Sequence, residues 1–157
     1  MRVSPTSAVA VVATMLLAVL ARAPGQEKKI KRADLPPAVE KAVVEQTQEA
    51  TIRSFSQEKE KGQTFYEAEL MVNGHSKDIL MDADGAVVEV EEQLATESLP
   101  LAVRAGLQAQ AGNGTLVKVE TLTKKGKLVA YEAQVLTKCK KSEVQVGPNG
   151  KPLGHEE

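Results

Sequence analysis

The chain has 157 residues, a formal net charge of −1 and one cysteine, and only 3% of its residues are aromatic. A nearly neutral chain with few aromatic side chains lacks the basic surface and the stacking groups of nucleic-acid-binding proteins, so we predict no nucleic-acid partner. One cysteine excludes an internal disulfide, and packing must therefore stabilise the fold. We interpret Cys139 as an ordinary strand or turn residue, with an intermolecular bridge or a reactive thiol as the alternatives.

The chain begins with the pattern of a secretory signal peptide over residues 1–23. Arg2 precedes an apolar run of 14 residues, and an A-R-A triplet ending at residue 23 resembles a cleavage site, although a cut after Gly25 fits equally well. The run is shorter than the ~20 residues of a membrane-spanning helix. We predict export and cleavage, which would leave no integral span, with an uncleaved anchor as the alternative. Residues 24–33 are basic and lack an apolar period, which predicts a solvated linker.

An internal repeat organises the rest of the chain. The segment DLPPAVEKAV at 34–43 returns as SLPLAVRAGL at 98–107, and YEA at 66–68 returns at 131–133. A DG turn at 84–85 likewise corresponds to NG at 149–150 in the same order. Ordered matches of this kind indicate a duplicated unit. We predict a first unit at 34–94, a second unit at 95–154 and a short tail at 155–157.

Each unit begins with a helix and continues with strands. Pro36 and Pro100 suit a first helical turn, and apolar residues follow each proline at helical spacing. The later segments alternate apolar and polar residues, and Asn73-Gly74 is a strong hairpin signal. Alternation with one polar face is typical of an antiparallel sheet that is covered on one side. The prediction is an α+β fold of two tandem helix-plus-antiparallel-meander units, each helix packed on one face of a three- to four-stranded sheet.

Motifs for catalysis or for a tightly bound cofactor are missing from the sequence. The two histidines, His75 and His155, have no zinc-site spacing, and the chain contains neither a glycine-rich phosphate loop nor a nucleophile elbow. The segment MDADGAV invites a calcium interpretation, but counting from Asp82 places glycine fourth and Gln93 twelfth, which does not fit a helix–loop–helix calcium loop. We predict a hairpin turn there, no enzyme activity, no cofactor and no metal site.

Charge is distributed unevenly between the two predicted units. Residues 34–94 contain 5 basic and 14 acidic residues, a net of −9, whereas residues 95–157 contain 9 basic and 6 acidic residues, a net of +3. Such a run often forms only a solvated face. A bipolar surface can also steer a protein partner, or pair the acidic half of one molecule with the basic half of another.

The combination of LPPAVEKAV, YEAEL, and a DADG turn before AVVEVE resembles the PepSY-like family, which is also described as similar to the β-lactamase inhibitory protein. LPLAVRAGL, YEAQV and GPNGK resemble a second copy, so the resemblance covers about residues 35–153. It implies a helix on an antiparallel sheet, twice in tandem. It also implies an exported protein that binds, and restrains, peptidases or other extracytoplasmic proteins through a concave sheet and hairpin loops. Fold alone does not settle function.

The leading functional prediction is an exported, non-catalytic binding module, periplasmic or extracellular, that acts as a modulator or inhibitor of a peptidase or other extracytoplasmic protein. The candidate contacts lie on the polar face of the sheet and in two turns: Glu67, Glu69, Asn73, His75, Lys124, Lys125, Lys127 and Glu132. The alternative is a ligand- or divalent-ion-sensing domain that uses acidic residues of the first unit: Asp78, Asp82, Asp84, Glu89 and Glu91.

Overall fold

A computed structural model describes residues 27–47 and 49–154. The predicted signal peptide and the tail at 155–157 lie outside these residues. Short 3-10 turns, Arg32–Asp34 and Thr96–Ser98, precede the two helices. In chain order the elements are β1 (Lys28–Ile30), α1 (Pro37–Gln46), β2 (Thr51–Glu60), β3 (Gln63–Val72), β4 (His75–Asp82), β5 (Val87–Leu94), α2 (Leu101–Ala111), β6 (Thr115–Lys124), β7 (Lys127–Thr137) and β8 (Lys140–Val146).

The strands form one antiparallel sheet of eight strands in sequential order from β1 to β8. The predicted α+β class is confirmed. The prediction counted three to four strands for each unit, and the structure joins all eight strands in one shared sheet. Strand β5 pairs with β6 from Glu89 opposite Lys124 to Leu94 opposite Val119. This pairing satisfies backbone groups that two separate sheets would leave exposed at their edges. The sheet is therefore continuous across the boundary between the predicted units.

Part of the predicted basic linker is a strand, which corrects the interpretation of residues 24–33. Lys28 lies opposite Gln57 and Ile30 opposite Phe55, so β1 forms one edge of the sheet. Ile30 also packs against the first apolar core. Three residues are too few to show a period of two in the sequence. Ile30 is the apolar residue of this strand, and the lysines around it make the segment resemble a charged linker. Residues 24–26 lie outside the described part of the chain.

Both helices pack on the same side of the sheet, each over its own apolar core. Val39 and Val43 of α1 are fully buried, as are Val103 and Leu107 of α2. The first core is formed by Leu35, Val39, Val43, Phe55, Tyr66, Ala68, Leu70, Ile79 and Met81. The second core is formed by Leu99, Val103, Leu107, Val119, Tyr131, Ala133 and Val146. None of the helices in the described ranges has the length and apolar character needed to cross a bilayer.

Candidate binding face

The side chains that alternate with the core residues lie on the opposite side of the sheet, which we call the helix-free face. On β3, Ala68 and Leu70 are buried in the first core. Because successive strand residues point to opposite faces, Glu67 and Glu69 project from the helix-free face. The same rule places Glu132 of β7 there, between the buried residues Tyr131 and Ala133. The three glutamates predicted from alternation therefore share one surface.

Three acidic residues lie directly opposite one another across β3, β4 and β5. Glu69 is the cross-strand partner of Asp78, and Asp78 is the partner of Glu91. We call Glu69, Asp78 and Glu91 the carboxylate row. Like charges at directly opposed positions destabilise a sheet. Among the described residues, no lysine or arginine approaches these three carboxylates within ion-pair distance.

Burial within this crowded surface weakens the acidity of its carboxyl groups. Burial raises the pKa of Asp78 to about 6 against the opposing charge of Lys118, and it raises the pKa of Glu91 to about 8, with neighbouring carboxylates contributing in the same direction at both residues. Burial also raises the pKa of Glu67 to about 6, although the hydrogen bond from Ser56 Oγ (3.0 Å) opposes the shift. Glu132 behaves similarly, since burial raises its pKa to about 7 against the hydrogen bond that it accepts from Gln145.

Two lysines of β6 neutralise other carboxylates on the same face. Lys118 Nζ lies 2.6 Å from Glu120 Oε1, and Glu120 is only 3% exposed. Ser76 Oγ also lies 3.4 Å from Glu120 Oε1. Farther along β6, Lys124 Nζ lies 3.6 Å from Glu89 Oε2. The basic second half of the chain thus supplies cations to the face, but only on its own side of the carboxylate row.

Apolar side chains form a floor between the charged groups. Leu122 is 2% exposed and lies opposite Glu91 and Ala130 in the neighbouring strands. Leu80 lies between Glu67 and Glu89 in the strands on either side. A shallow depression of about 50 Å³ opens here, and its lining residues are Glu58, Glu67, Asp78, Leu80, Glu89 and Glu91. The face therefore combines carboxylates with small apolar surfaces.

The predicted turn residues do not join this face as one site. Asn73 and His75 flank the β3–β4 turn, whereas Lys125 and Lys127 belong to the β6–β7 turn. Successive antiparallel strands place these two turns at opposite ends of the sheet. Lys124 reaches the face through Glu89. The roles of the eight predicted residues in binding remain predictions.

The acidic residues named for ion sensing divide into two groups. Asp82 Oδ1 accepts hydrogen bonds from the backbone N–H groups of Asp84 (3.0 Å) and Ala86 (2.9 Å), so it organises the β4–β5 turn. In contrast, Asp78, Glu91 and Glu120 each bring one carboxylate oxygen within 4.8 Å of the others. Oxygen ligands of this kind suit a hard divalent cation. Glu120 was not among the predicted residues, although its alternation with Val119 indicates the correct face.

Comparison with solved structures places the fold but not the activity. No family model and no curated protein matches the sequence. A BLIP-like protein from Bacteroides fragilis is 24% identical, with 78% of this chain and 86% of that chain covered and a TM-score of 0.57. A protein from Bacteroides eggerthii, assigned provisionally to the periplasm, is 19% identical, with 76% and 86% covered and a TM-score of 0.63. A DUF2874 family protein from Bacteroides ovatus is 18% identical, with the same coverage and a TM-score of 0.60. The chain has a BLIP-like fold.

Proposed function

We propose that this protein is an exported, non-catalytic binding module that modulates an extracytoplasmic protein, such as a peptidase, through its helix-free face. The observation that carries the proposal is the sheet itself, because both helices cover one side and leave the other side to charged and apolar side chains. Glu67, Glu69 and Glu132 contribute to that open side, as does Lys124. A broad surface with mixed polar and apolar groups suits protein recognition.

Fold similarity supports a binding role and an extracytoplasmic location. The similar structures include a BLIP-like protein and a protein assigned provisionally to the periplasm, which agrees with the signal pattern at residues 1–23. The PepSY-like resemblance supports the same class of function. In the proposed arrangement, α1 with β2–β5 is one copy of the unit, and α2 with β6–β8 is a second copy that shares the sheet.

Position-specific photocrosslinking tests the proposal. A diazirine-bearing amino acid replaces Leu80 on the helix-free face or, as a matched control, the 82% exposed Leu101 on α2. After irradiation of whole cells, we expect a discrete protein adduct from position 80 and none from position 101. Equal adducts from both positions, or no adduct from either, would contradict the proposed docking face.

A divalent-ion-sensing function is a second candidate, favoured by the geometry of Asp78, Glu91 and Glu120. Calorimetry with calcium chloride tests it directly on the purified protein. Ion binding should release heat and raise the melting temperature, and Asp78→Asn should abolish both effects. A wild-type protein that shows neither heat nor a thermal shift would eliminate this candidate.

A further inference from the structure

The carboxylate row maintains an arrangement that folding alone disfavours. Glu69, Asp78 and Glu91 face one another on adjacent strands, and no described cation lies within ion-pair distance of them. Apolar or neutral residues at these positions would remove the like-charge repulsion. The charge of Lys118 acts on Asp78 and Glu91, but its ammonium group is paired with Glu120 at 2.6 Å. A further cationic group from outside the chain can therefore balance the remaining charge of the row.

The same face already shows how it holds an ammonium group. Lys118 pairs with Glu120, two residues farther along β6, at 2.6 Å, and its side chain is only 25% exposed. Long basic side chains commonly place their methylene groups along apolar surface and their charged end at a carboxylate. This contact is an internal example of lysine recognition, one strand away from Glu91.

From these two observations we infer that the partner docks a basic segment on the helix-free face, with lysine or arginine side chains directed at the carboxylate row. The inference rests on the proposed binding function and names the chemistry of its partner. Asp78 and Glu91 would receive the central basic group. Lys118 and Lys124 limit the site on the side of β6, because like charges would repel a basic segment there.

The dimensions and composition of the face favour a protein segment over a single ion. Three adjacent strands, at the usual spacing of about 4.8 Å, extend the row over roughly 10 Å. Leu80 and Leu122 lie beside the carboxylates, so apolar side chains of a bound segment can make contacts between the charged ones. An extended segment that alternates basic and apolar or small residues matches this pattern.

A labelled peptide tests this chemistry independently of the natural partner. The probe is a fluorescein-labelled 12-residue peptide of alternating lysine and threonine, and the control probe has glutamate in place of lysine. Fluorescence anisotropy in 50 mM sodium chloride at about pH 9, where Glu91 is ionised and lysine keeps its charge, should show binding of the lysine peptide alone. The double variant D78N/E91Q should bind it about tenfold more weakly, the effect of two lost charge contacts of modest strength.

A matched variant distinguishes local recognition from the general field of an acidic protein. The double variant E45Q/E97Q removes the same charge from exposed positions in the first helix and in the turn before the second helix. It should bind the lysine peptide as the wild type does. Equal weakening in both double variants would overturn the inference, as would calcium binding without any peptide binding.

The photocrosslinked adduct at position 80 separates this inference from the proposed function. An adduct whose crosslinked segment contains lysine or arginine, and whose yield falls in D78N/E91Q, supports both. An adduct whose segment lacks basic residues overturns the inference and leaves the docking face in place. If no adduct forms while the lysine peptide still binds at Asp78 and Glu91, the proposed function fails and the cation-recognising chemistry stands.

Discussion

Glu91 is the residue at which the competing demands of folding and recognition are most evident. Its carboxyl group lies beside Asp78 in the neighbouring strand, and the carboxylates of Glu132, Glu120 and Glu89 add to the local negative potential. Burial raises its pKa to about 8, so near neutral pH this group holds a proton that an exposed glutamate would have lost. Ionisation of Glu91 is therefore linked to folding and to the binding of any cation.

We predict that the free energy of unfolding decreases as the pH rises from about 5 to about 8. The pKa of Asp78 is about 6 and that of Glu91 is about 8 in the folded protein, both above their values in the unfolded chain. The stabilising contribution is complete below the unfolded pKa near 4 and is lost as the pH passes through the folded values. Urea denaturation at pH 5 and pH 8 should show a loss on the order of 3 kcal/mol.

The variant Glu91→Gln measures how much of this pH dependence comes from Glu91. At pH 8 it should be more stable than the wild type, because glutamine removes a charge that the folded sheet solvates poorly, whereas at pH 5 the two should unfold at similar urea concentrations. Glu97→Gln, at an exposed position before α2, is the control and should leave the pH dependence unchanged. A Glu91→Gln protein with the full wild-type pH dependence would refute the assignment.

At the residue scale, the sequence predicts only part of the helix-free face. Alternation in the sequence is sufficient to place Glu67, Glu69 and Glu132 on one face, because each neighbours residues that must be buried. It does not reveal that Asp78 opposes Glu91, since this register depends on an irregularity between Leu80 and Met81. A shift of one residue in the pairing would send Glu91 to the other face.

At the scale of elements, two turns of the sheet pack closely against the backbones of the helices. Gly85, in the turn after β4, has a φ of +80°, and a Cβ atom there would overlap the backbone carbonyl of Ala38 in α1. Gly150, in the turn after β8, has a φ of +76°, and a Cβ atom would overlap the carbonyl of Ala102 in α2. The corresponding glycines in the repeat therefore allow the same close approach of turn to helix in both halves.

We predict that Gly85→Ala and Gly150→Ala each destabilise the protein by about 3 kcal/mol or more. The added methyl group must displace the helix backbone, and the alanine must also adopt a left-handed backbone conformation. Gly74→Ala is the matched control, since Gly74 has a φ of +84° but nothing within 4 Å of the added atom. It should cost only about 1 kcal/mol. Chemical denaturation measures all three, and similar losses in all three would argue against turn–helix packing.

The elements also differ in how clearly the sequence predicts them. The helices and hairpins carry strong local signals, such as Asn73-Gly74, whose Asn73 adopts a φ of +51° in the turn. Strand β1 carries none, because it has three residues and is held by pairing with β2 and by the burial of Ile30. Elements stabilised by their own sequence period were predictable, whereas one stabilised only by its neighbours was not.

At the scale of the whole molecule, the separate cores and the continuous sheet have opposite consequences for cooperative unfolding. The two apolar cores are separate, each beneath its own helix, which favours independent unfolding of two halves. The sheet runs through their boundary, however, and six residue pairs join β5 to β6 from Glu89–Lys124 to Leu94–Val119. Unfolding one half would expose the backbone edge of the other, together with the contact between Lys124 and Glu89. The sequence repeat predicts the halves but contains no local signal for this junction.

We predict that the continuous sheet prevails and that the described domain unfolds in one transition. Tyr66 and Tyr131 are the only two tyrosines, the chain has no tryptophan, and one tyrosine lies in each core. In Tyr131→Phe the remaining fluorescence reports the first half, and in Tyr66→Phe it reports the second. Within each variant, the urea midpoint from fluorescence should equal the midpoint from far-UV circular dichroism, which reports the entire sheet.

The comparison is made within each variant because the two substitutions are not equivalent. Tyr66 Oη lies 3.2 Å from Gln57 Nε2, so its loss should lower stability by about 1 kcal/mol, and a comparison between variants would confuse that loss with uncoupling of the halves. If the fluorescence and circular dichroism midpoints differ within either variant, the halves unfold separately and the β5–β6 pairing does not couple their unfolding. Coincident midpoints would instead show that the two halves unfold together, and in such a domain a partner bound to the helix-free face would raise the stability of both halves.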